Sequence, residues 1–381
     1  MELERCVRCT LPITWETLYF DDKGVCNICK NWDAKQKVIN WKTREKQLLR
    51  IFEDAKKTKR AYDCIVPFSG GKDSTFTLWA IIKRYKIKPL VVSFDHGFYR
   101  PKTIENRTRT FRKLGVDVIT FTPNWHIVKK LMLESLIRKG DFCWHCHAGI
   151  FAYPMQIAVK FKIPLIIWGE GGGEYEGYFK FEDIEETDEW KFNRRIILGM
   201  RAEDMAGFIG AELKDLQPYL FPSKEELDEI GVKSLPLGKF IQWDQQKQVE
   251  IIKSELGWQE DEVESNLPGP SFDKVECMFA GIRDYIKYLK RGFSRITHRT
   301  TIDIRNGKMS REAAMELIRK YEARKPKSLT VFLEYLGICE EEFNDIVSKH
   351  LIPPAKPVDP KTLIEGPKLH DQDLWFRENK I

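Results

Sequence analysis

The sequence of 381 residues lacks several features that would assign it to a large class of proteins. No apolar run approaches the ~18 residues of a membrane-spanning helix, and residues 1–6 do not have the pattern of a signal peptide. The net charge of +6 is mild and diffuse, which suits an anionic small substrate and argues against a nucleic-acid partner. We find no internal repeats. We therefore expect a cytoplasmic globular protein without a membrane-inserted segment.

Two common signatures of nucleotide and glutamine chemistry are also missing. The chain has no G-x-x-x-x-G-K-[ST] phosphate loop. Glu2 follows Met1 at the position where an N-terminal glutaminase domain carries its cysteine, and we find no nucleophile-elbow cysteine of a class I glutaminase. If the chain uses ammonia, a separate glutaminase has to supply it.

Cysteine is the residue type with the clearest pattern. Six of the nine cysteines stand in Cys-x-x-Cys pairs, which is not the pattern of a disulfide framework. Cys6, Cys9, Cys26 and Cys29 form two such pairs separated by residues 10–25, and two turns of this kind can close a tetrahedral Zn2+ site. We predict a structural zinc ribbon in residues 1–35, with a hairpin at 17–24 and no open coordination position.

We expect one domain at 36–260, in which residues 61–170 alternate between apolar strand-like runs and helical runs. A surface helix is expected at 41–57, followed by strands at 63–68, 89–95, 117–122 and 164–168 and helices at 73–85, 103–114, 126–139 and 148–161. This alternation predicts an α/β fold with a parallel sheet and right-handed crossovers. We also expect a lid or insertion at about 181–235, a strand at 238–243, a helix at 245–256 and a mainly helical C-terminal region at 261–381.

A glycine-rich turn joins the first strand to its helix. A strand, a glycine turn and a helix start present backbone N–H groups to a phosphate, and parallel sheets bind ligands beyond the carboxyl ends of their strands. The motif resembles the PP-loop of the ATP pyrophosphatases, which split ATP into AMP and pyrophosphate. The resemblance implies Mg2+, catalytic roles for Asp73 and Ser74, and an ATP site with the adenine beside the second strand. The implied ATP-binding residues are Ser69, Gly70, Gly71, Lys72, Asp73, Ser74, Ser93, Phe94, Asp95, Gly169 and Glu170.

A second glycine-rich stretch, residues 169–178, follows the fourth strand. Its position and its glutamates favour a loop of the site over a flexible linker. Glu170 or Glu174 is either a Mg2+ ligand or a solvated carboxylate. We place Glu174 and Tyr175 among the residues that contact the substrate.

Basic side chains cluster between residues 283 and 311. Arg283, Lys287, Arg291 and Arg295 step by four, which puts them on one face of a continuous helix unless Gly292 ends it early. Arginine forks suit pyrophosphate and carboxylate groups. The cluster is either a solvated face or a sugar-nucleotide pocket, and its interleaved aromatic residues favour the pocket. The candidates are Lys287 and Arg291 for catalysis and Arg295 and Arg305 for substrate binding.

Four segments together resemble the bacterial N-acetyl sugar amidotransferases of surface-polysaccharide and flagellar-sugar synthesis. They are residues 69–74 (SGGKDS), 143–152 (CWHCHAGIFA), 163–170 (IPLIIWGE) and 288–312 (from YLKRGFSR to IRNGKMSRE). The resemblance implies a C–N ligase that converts an acetamido group of a UDP-linked sugar to an acetamidino group, in lipopolysaccharide O-antigen or flagellar-sugar synthesis. It also implies an O-adenylyl intermediate, and ammonia from a glutaminase/cyclase pair like that of histidine biosynthesis.

The pair Cys143 and Cys146 leaves alternatives open. The chain resembles PP-loop tRNA thiolases here, in which such a pair and a distant third cysteine hold an iron–sulfur cluster. The available further ligands are Cys64, Cys277, His145 and His147. The pair is otherwise a redox or nucleophilic pair with lowered thiol pKa values, or a structural pair. A tRNA thiolase, and a non-catalytic zinc-ribbon scaffold for a glutaminase, are therefore alternatives to the amidotransferase.

Overall fold

The computed structural model describes residues 3–169 and 188–367, and its centre is a five-stranded parallel sheet. The strands are β1 (Cys64–Pro67), β2 (Pro89–Phe94), β3 (Asp117–Phe121), β4 (Leu165–Trp168) and β5 (Lys233–Pro236). They lie in the order β3-β2-β1-β4-β5, and every neighbouring pair is parallel. The direction of the strand order reverses between β1 and β4, where sheets of this kind form a ligand crevice beyond the strand carboxyl ends. The predicted α/β class is confirmed.

Helices surround the sheet and form most of the C-terminal region. Within the described ranges they are α1 (Asn27–Val38), α2 (Trp41–Lys57), α3 (Lys72–Trp79), α4 (Pro101–Leu114), α5 (Trp125–Lys139), α6 (Trp144–Phe161), α7 (Glu189–Lys191), α8 (Ala202–Ile209), α9 (Lys224–Ile230), α10 (Gln245–Leu256), α11 (Ala280–Arg291), α12 (Arg295–Arg305), α13 (Arg311–Tyr321), α14 (Leu329–Leu336) and α15 (Glu340–Ser348). Two short strands, β6 (Arg324–Lys325) and β7 (Ile364–Glu365), pair with each other. None of the described helices is long and apolar enough to cross a membrane.

Local chemistry accounts for the helices that flank the crevice. α5 begins after Asn124, whose side chain accepts hydrogen bonds from two N–H groups of the first turn, and ends at Gly140 in the left-handed conformation. α4 begins with Pro101, whose fixed φ suits a first helical position, and ends at Gly115. α2 is solvated on one face and buries Leu48 and its neighbours on the other.

The strands pack on both faces, as the alternation of their side chains requires. Cys64 and Val66 face a core built with α2, α3 and α10, whereas Ile65 faces α6 together with Leu90 and Val92 of β2. A third cluster joins α5 and α6 to α8 and the turn at 213–219, so this part of the predicted lid packs as a layer on those helices.

The predicted strand at 238–243 is wrong. β5 ends at Pro236, and residues 237–239 form a single 3₁₀ turn. The N–H of Gly238 still donates a hydrogen bond to the carbonyl of Gly169 (3.0 Å). This bond closes the pairing between β4 and β5 and does not extend the strand. The last residues of the predicted lid, 233–235, consequently belong to the sheet.

Candidate active site

The glycine turn is folded by its own serines. The hydroxyl of Ser74 accepts hydrogen bonds from the N–H groups of Ser69 (3.3 Å) and Gly70 (3.1 Å), and the Ser69 hydroxyl accepts one from Gly71 (3.3 Å). Gly70 has a φ of +91°, which lets the chain reverse before α3. The loop therefore sits at the amino end of α3 and at the carboxyl end of β1, which suits an anionic ligand.

Asp73 lies beside the carboxyl ends of β1 and β4, where the direction of the strand order reverses. One carboxylate oxygen of Asp73 is 2.8 Å from the Lys72 ammonium, while the other is buried and has no hydrogen-bond partner among the described residues. A Cβ atom added to Gly169 would lie 3.3 Å from the Asp73 Cβ, so the end of β4 packs closely on the loop helix. The structure thus brings together Asp73 and Gly169, two of the predicted ATP-site residues. Glu170, Glu174 and Tyr175 lie outside the described residues.

The predicted adenine-side residues are committed to internal contacts. The Ser93 hydroxyl donates to the carbonyl of Phe68 (2.9 Å), and the Phe94 ring is buried under α6, where a Cβ on Gly149 would overlap it. Asp95 accepts a hydrogen bond from the N–H of Gly97 (2.9 Å). These three side chains shape the turn after β2.

Arg107 is a residue of the loop that sequence reasoning missed. Its guanidinium donates to the carbonyls of Phe68 and Ser69 (3.3 Å each), to the Ser93 hydroxyl (2.9 Å) and to the Tyr99 hydroxyl (3.1 Å). It ties the ends of β1 and β2 together beneath the glycine turn. Nothing in the spacing of α4 distinguishes this arginine from its basic neighbours.

A segment of the C-terminal region, residues 271–279, crosses the loop and was also missed. Asp273 lies 3.3 Å from Lys72 on one side and 3.3 Å from Arg299 on the other. Burial disfavours the ionised carboxylate, but these two cations outweigh it and hold the pKa of Asp273 below its ordinary value. Glu276 lies so close to Gly71 that a Cβ there would be 3.0 Å from its carboxylate. The glycine turn and the C-terminal region are therefore in direct contact.

The basic cluster is divided between two helices. α11 ends at Gly292 (φ +72°), so Arg295 opens α12 and does not continue a stripe with Lys287. The Arg295 guanidinium donates two hydrogen bonds to the Asp284 carboxylate (3.1 Å each) and one to the His298 ring (3.0 Å). Burial and the charge of Arg295 keep the pKa of His298 well below its ordinary value, so the imidazole is neutral. Arg305 is buried, and one of its guanidinium nitrogens has no hydrogen-bond partner among the described residues, which suits a ligand contact.

The other two predicted basic residues face the ribbon. The Lys287 ammonium lies over the rings of Trp15 (4.4 Å to the centroid) and Phe293 (4.7 Å). Burial, assisted by the charge of Arg295, lowers the pKa of Lys287 to about 8. Arg291 donates to the carbonyl of Thr14 (2.6 Å) and is thereby committed to holding the ribbon.

The four ribbon cysteines converge as predicted. All are buried, and their sulfur atoms lie within 4.8 Å of one another, with 3.8 Å between Cys9 and Cys26. A tetrahedral zinc site with Zn–S bonds of ~2.3 Å requires sulfur atoms about 3.8 Å apart, so the donor set fits Zn2+. A bridge between Phe20 and Cys26 forms the expected hairpin. Arg311 donates to the carbonyls of Cys6 and Cys9 (3.2 Å each), which fastens the ribbon to α13.

The second cysteine pair lies at the start of α6. Cys143 is the residue before the helix, and Cys146 is in its first turn. The expectation of lowered thiol pKa values is wrong for both residues. Burial raises the pKa of Cys143 and of Cys146, and neighbouring thiols and carboxylates add to the effect. As free thiols they are poor nucleophiles.

Comparison with known proteins gives a family for the C-terminal region. Residues 270–356 match the family described as LPS biosynthesis protein WbpG-like, C-terminal domain. This range contains the whole crossing segment, residues 271–279, as well as the basic cluster. The chain thus carries a WbpG-like C-terminal domain, and the predicted resemblance is confirmed over this region.

Other similar proteins cover different parts of the chain. An uncharacterized protein of Methanocaldococcus jannaschii is 23% identical over 325 residues, which is 79% of this chain and 94% of that protein. A glutamine-hydrolyzing GMP synthase of Pyrobaculum aerophilum is 31% identical over 87 residues, 23% of this chain and 17% of that one. Among solved structures, NMN synthetase from Francisella tularensis has a TM-score of 0.30 at 13% identity, covering 57% of this chain and 87% of its own. The U34-tRNA thiolase NcsA from Methanococcus maripaludis, with its [4Fe-4S] cluster, has a TM-score of 0.32 at 14% identity, covering 81% and 88%.

Proposed function

We propose that this chain uses ATP to activate an acetamido group of a sugar for conversion to an acetamidino group. The observation that carries the proposal is the contact between Lys72 of the glycine turn and Asp273. This contact places an ATP-type loop directly against a domain that matches a lipopolysaccharide-biosynthesis family. A nucleotide and a sugar held at this contact would lie side by side.

The proposed reaction has two displacement steps. The acetamido carbonyl oxygen attacks the α-phosphorus of ATP, the bond from that phosphorus to the bridging oxygen breaks, and pyrophosphate leaves. Ammonia then attacks the imidate carbon, the C–O bond to AMP breaks, and the nitrogen loses a proton. The products are the acetamidino sugar, AMP and pyrophosphate. The protein contributes positioning and charge neutralisation.

The loop residues have distinct roles in the first step. The N–H groups of residues 69–71 hydrogen-bond inside the loop, so the N–H groups at the amino end of α3 are proposed to contact phosphate oxygens, with Ser69 and Ser74 shaping the loop and Lys72 adding a positive charge. Asp73 fits a Mg2+ ligand, because one of its oxygens is buried and without a hydrogen-bond partner among the described residues. Bound there, Mg2+ would supply charge neutralisation to the phosphates.

The sugar is proposed to lie against the basic cluster. Arg295 and Arg305 offer guanidinium groups to anionic parts of a nucleotide-linked sugar, and Lys287 offers an ammonium beside two aromatic faces. Ammonia is proposed to come from a separate glutaminase/cyclase pair, since the sequence carries no glutaminase nucleophile of its own.

The test is the formation of AMP by the full-length chain. The protein is given ATP, Mg2+, ammonium and a panel of acetamido sugars, free and UDP-linked, and AMP and the amidino product are measured by mass spectrometry. Ser74→Ala removes the hydroxyl that folds the loop and should abolish AMP formation. The matched control is Ser223→Ala, which removes a similar helix-capping hydroxyl at α9. If no sugar in the panel gives AMP with the unmodified protein, the proposal is wrong.

A second candidate function is sulfur transfer to tRNA. It is favoured by the position of Cys277, which belongs to the same packed cluster as Cys143. This function predicts that the protein retains tRNA and incorporates sulfur from labelled sulfide into it in the presence of ATP. Turnover of an acetamido sugar without any sulfur incorporation would eliminate it.

A further inference from the structure

We propose that Arg299 and Lys72 together bind the pyrophosphate part of ATP, and that the Asp273 carboxylate competes with it for these two cations. The proposal rests on the proposed use of ATP and deepens it, because it assigns a phosphate contact to a residue outside the glycine turn. It also gives the acidic segment that crosses the turn a role in ATP binding.

The two cations lie on opposite sides of one carboxylate. The Lys72 ammonium is 3.3 Å from one oxygen of Asp273, and the Arg299 guanidinium is 3.3 Å from the other. A guanidinium fork matches a phosphate group as well as it matches a carboxylate, and the lysine ammonium binds both as a point charge. Two oxygens of a phosphate group can therefore bridge the same pair of cations.

Neither cation depends on Asp273 for a counter-charge. Lys72 lies 2.8 Å from Asp73, and the Nε of Arg299 donates to Asp303 (3.1 Å), which is four residues further along α12. The Nη1 of Arg299 also donates to Gln245 (3.3 Å), whereas its Nη2 donates to no other protein group within the described ranges. The guanidinium therefore keeps a donor for a phosphate oxygen.

The Phe272 ring positions both cations without neutralising them. The centroid of this ring lies 5.7 Å from the Lys72 ammonium and 4.7 Å from the Arg299 guanidinium carbon. A cation is attracted to an aromatic face but keeps its charge there. The ring thus holds the ammonium and the guanidinium near each other, where one anionic group can reach both.

A second carboxylate of the crossing segment lies against the glycine turn itself. Glu276 is so close to Gly71 that an added Cβ there would be 3.0 Å from its carboxylate oxygen. Gly71 directly precedes α3, and the amino end of a helix attracts phosphate groups. The segment therefore places two carboxylates, three residues apart, on the anion-binding side of the loop. Two linked anionic groups are also what a pyrophosphate presents.

The exchange of carboxylate for phosphate requires only a side-chain rotation. Asn266 donates to the backbone carbonyl of Asp273 (2.8 Å), and the N–H of Asp273 donates to the Ser271 hydroxyl (3.1 Å). These bonds hold the backbone of the segment in place. The Asp273 side chain is 17% exposed, so a rotation can bring its carboxylate into solvent.

The test measures binding to the full-length chain by isothermal titration calorimetry in the presence of Mg2+. The probes are inorganic pyrophosphate, the α,β-methylene analogue of ATP, and UDP. Arg299→Gln should weaken binding of the first two roughly tenfold, because it removes a charged hydrogen bond. Asp273→Asn should strengthen binding of both several-fold, because it removes the competing charge. The affinity for UDP should be the same in all variants.

Two further variants test whether the effects are specific. Arg138→Gln is the matched control, since Arg138 also pairs with a carboxylate four residues away (Glu134, 3.0 Å) but lies on α5. It should bind all three probes as the unmodified protein does. Arg299→Lys keeps the charge and should recover part of the binding that Arg299→Gln loses. Circular dichroism and thermal unfolding of each variant show that the chain is folded at the temperature of the titration.

The outcomes distinguish this proposal from its alternatives. Weaker pyrophosphate binding by folded Asp273→Asn would show that the carboxylate supports the site, and would overturn the proposal. Unchanged binding by Arg299→Gln, or an unmodified protein that binds neither pyrophosphate nor the ATP analogue, would overturn it too. A loss of UDP affinity alone would assign Arg299 to a nucleotide-linked sugar. If the two phosphate probes behave as expected but no sugar gives AMP, only the proposed function fails.

Discussion

Gly70→Ala tests the packing beneath the ATP loop. Gly70 has a φ of +91°, and an alanine forced into a left-handed conformation costs roughly 1–2 kcal/mol. The added Cβ would lie 2.6 Å from the Cγ of Arg107 and 3.1 Å from the Cγ2 of Thr103. Overpacking of this kind costs about 1–3 kcal/mol. We expect the free energy of unfolding to fall by about 2–5 kcal/mol, since the two effects act at one place.

Gly71→Ala is the matched control. The φ of Gly71 is −71°, which any residue adopts, and its added Cβ meets the carboxylate end of Glu276 at 3.0 Å. A carboxylate can swing away, so we expect a change of about 1 kcal/mol or less in the free energy of unfolding. The Gly70 methyl would distort the turn from beneath and the Gly71 methyl would narrow the space between the turn and Glu276, so we expect both variants to lose AMP formation.

The assay is denaturant unfolding followed by tryptophan fluorescence, with AMP formation measured on the same preparations. Gly71→Ala should therefore separate the two properties, keeping stability and losing activity. The reasoning fails if Gly70→Ala unfolds within about 1 kcal/mol of the unmodified protein. It also fails if the two variants lose equal stability.

Three further predictions follow from the site. Asp273→Asn removes the carboxylate between Lys72 and Arg299, which keep Asp73 and Asp303 as partners. Because both cations can then shift toward their remaining partners, we expect a changed KM for ATP in steady-state kinetics together with a loss of roughly 1–3 kcal/mol in stability; an unchanged KM would contradict a role in the ATP site. Cys9→Ser should release the ribbon zinc, measured by elemental analysis, and quicken proteolysis of the helices that Arg311 fastens to the ribbon. The KM for an anionic sugar substrate should rise above a pH of about 8, because Lys287 has a lowered pKa and loses its charge there, and Lys287→Arg should remove this alkaline limb.

The sheet and its helices were predictable because their signals are local. The strands at 89–95 and 117–122 were placed to within one residue, and the helix at 41–57 agrees with α2 at both ends. Apolar runs and helical periodicity depend on the segment itself, so one sequence suffices to find them. The strand predicted at 238–243 failed because β5 (Lys233–Pro236) contains a lysine and a serine and carries a weaker apolar signal than residues 238–243, and only the geometry at the edge of β4 selects between them.

The contacts that complete the site could not be read from the sequence. Asp273 and Glu276 are about 200 residues away from the glycine turn, and a single sequence contains no information on contacts at that separation. Cys64 and Cys277 were equally available as a third cysteine. Their positions depend on the fold, because the sheet places Cys64 at the amino end of β1 and the segment of Cys277 beyond the carboxyl end of β2.

The zinc-ribbon segment, residues 1–35, borders the proposed sugar site at Lys287 and is also a folding unit of its own. A zinc site with four protein ligands has no open position for chemistry. The ribbon can therefore influence a reaction only through the side chains that it positions. One of these is Trp15, which stacks on Phe293 (5.3 Å between centroids) and covers the Lys287 ammonium. The low dielectric of this aromatic enclosure is the physical cause of the lowered lysine pKa. The ribbon thus lowers the pKa of a lysine of the proposed sugar site through Trp15, which encloses its ammonium group.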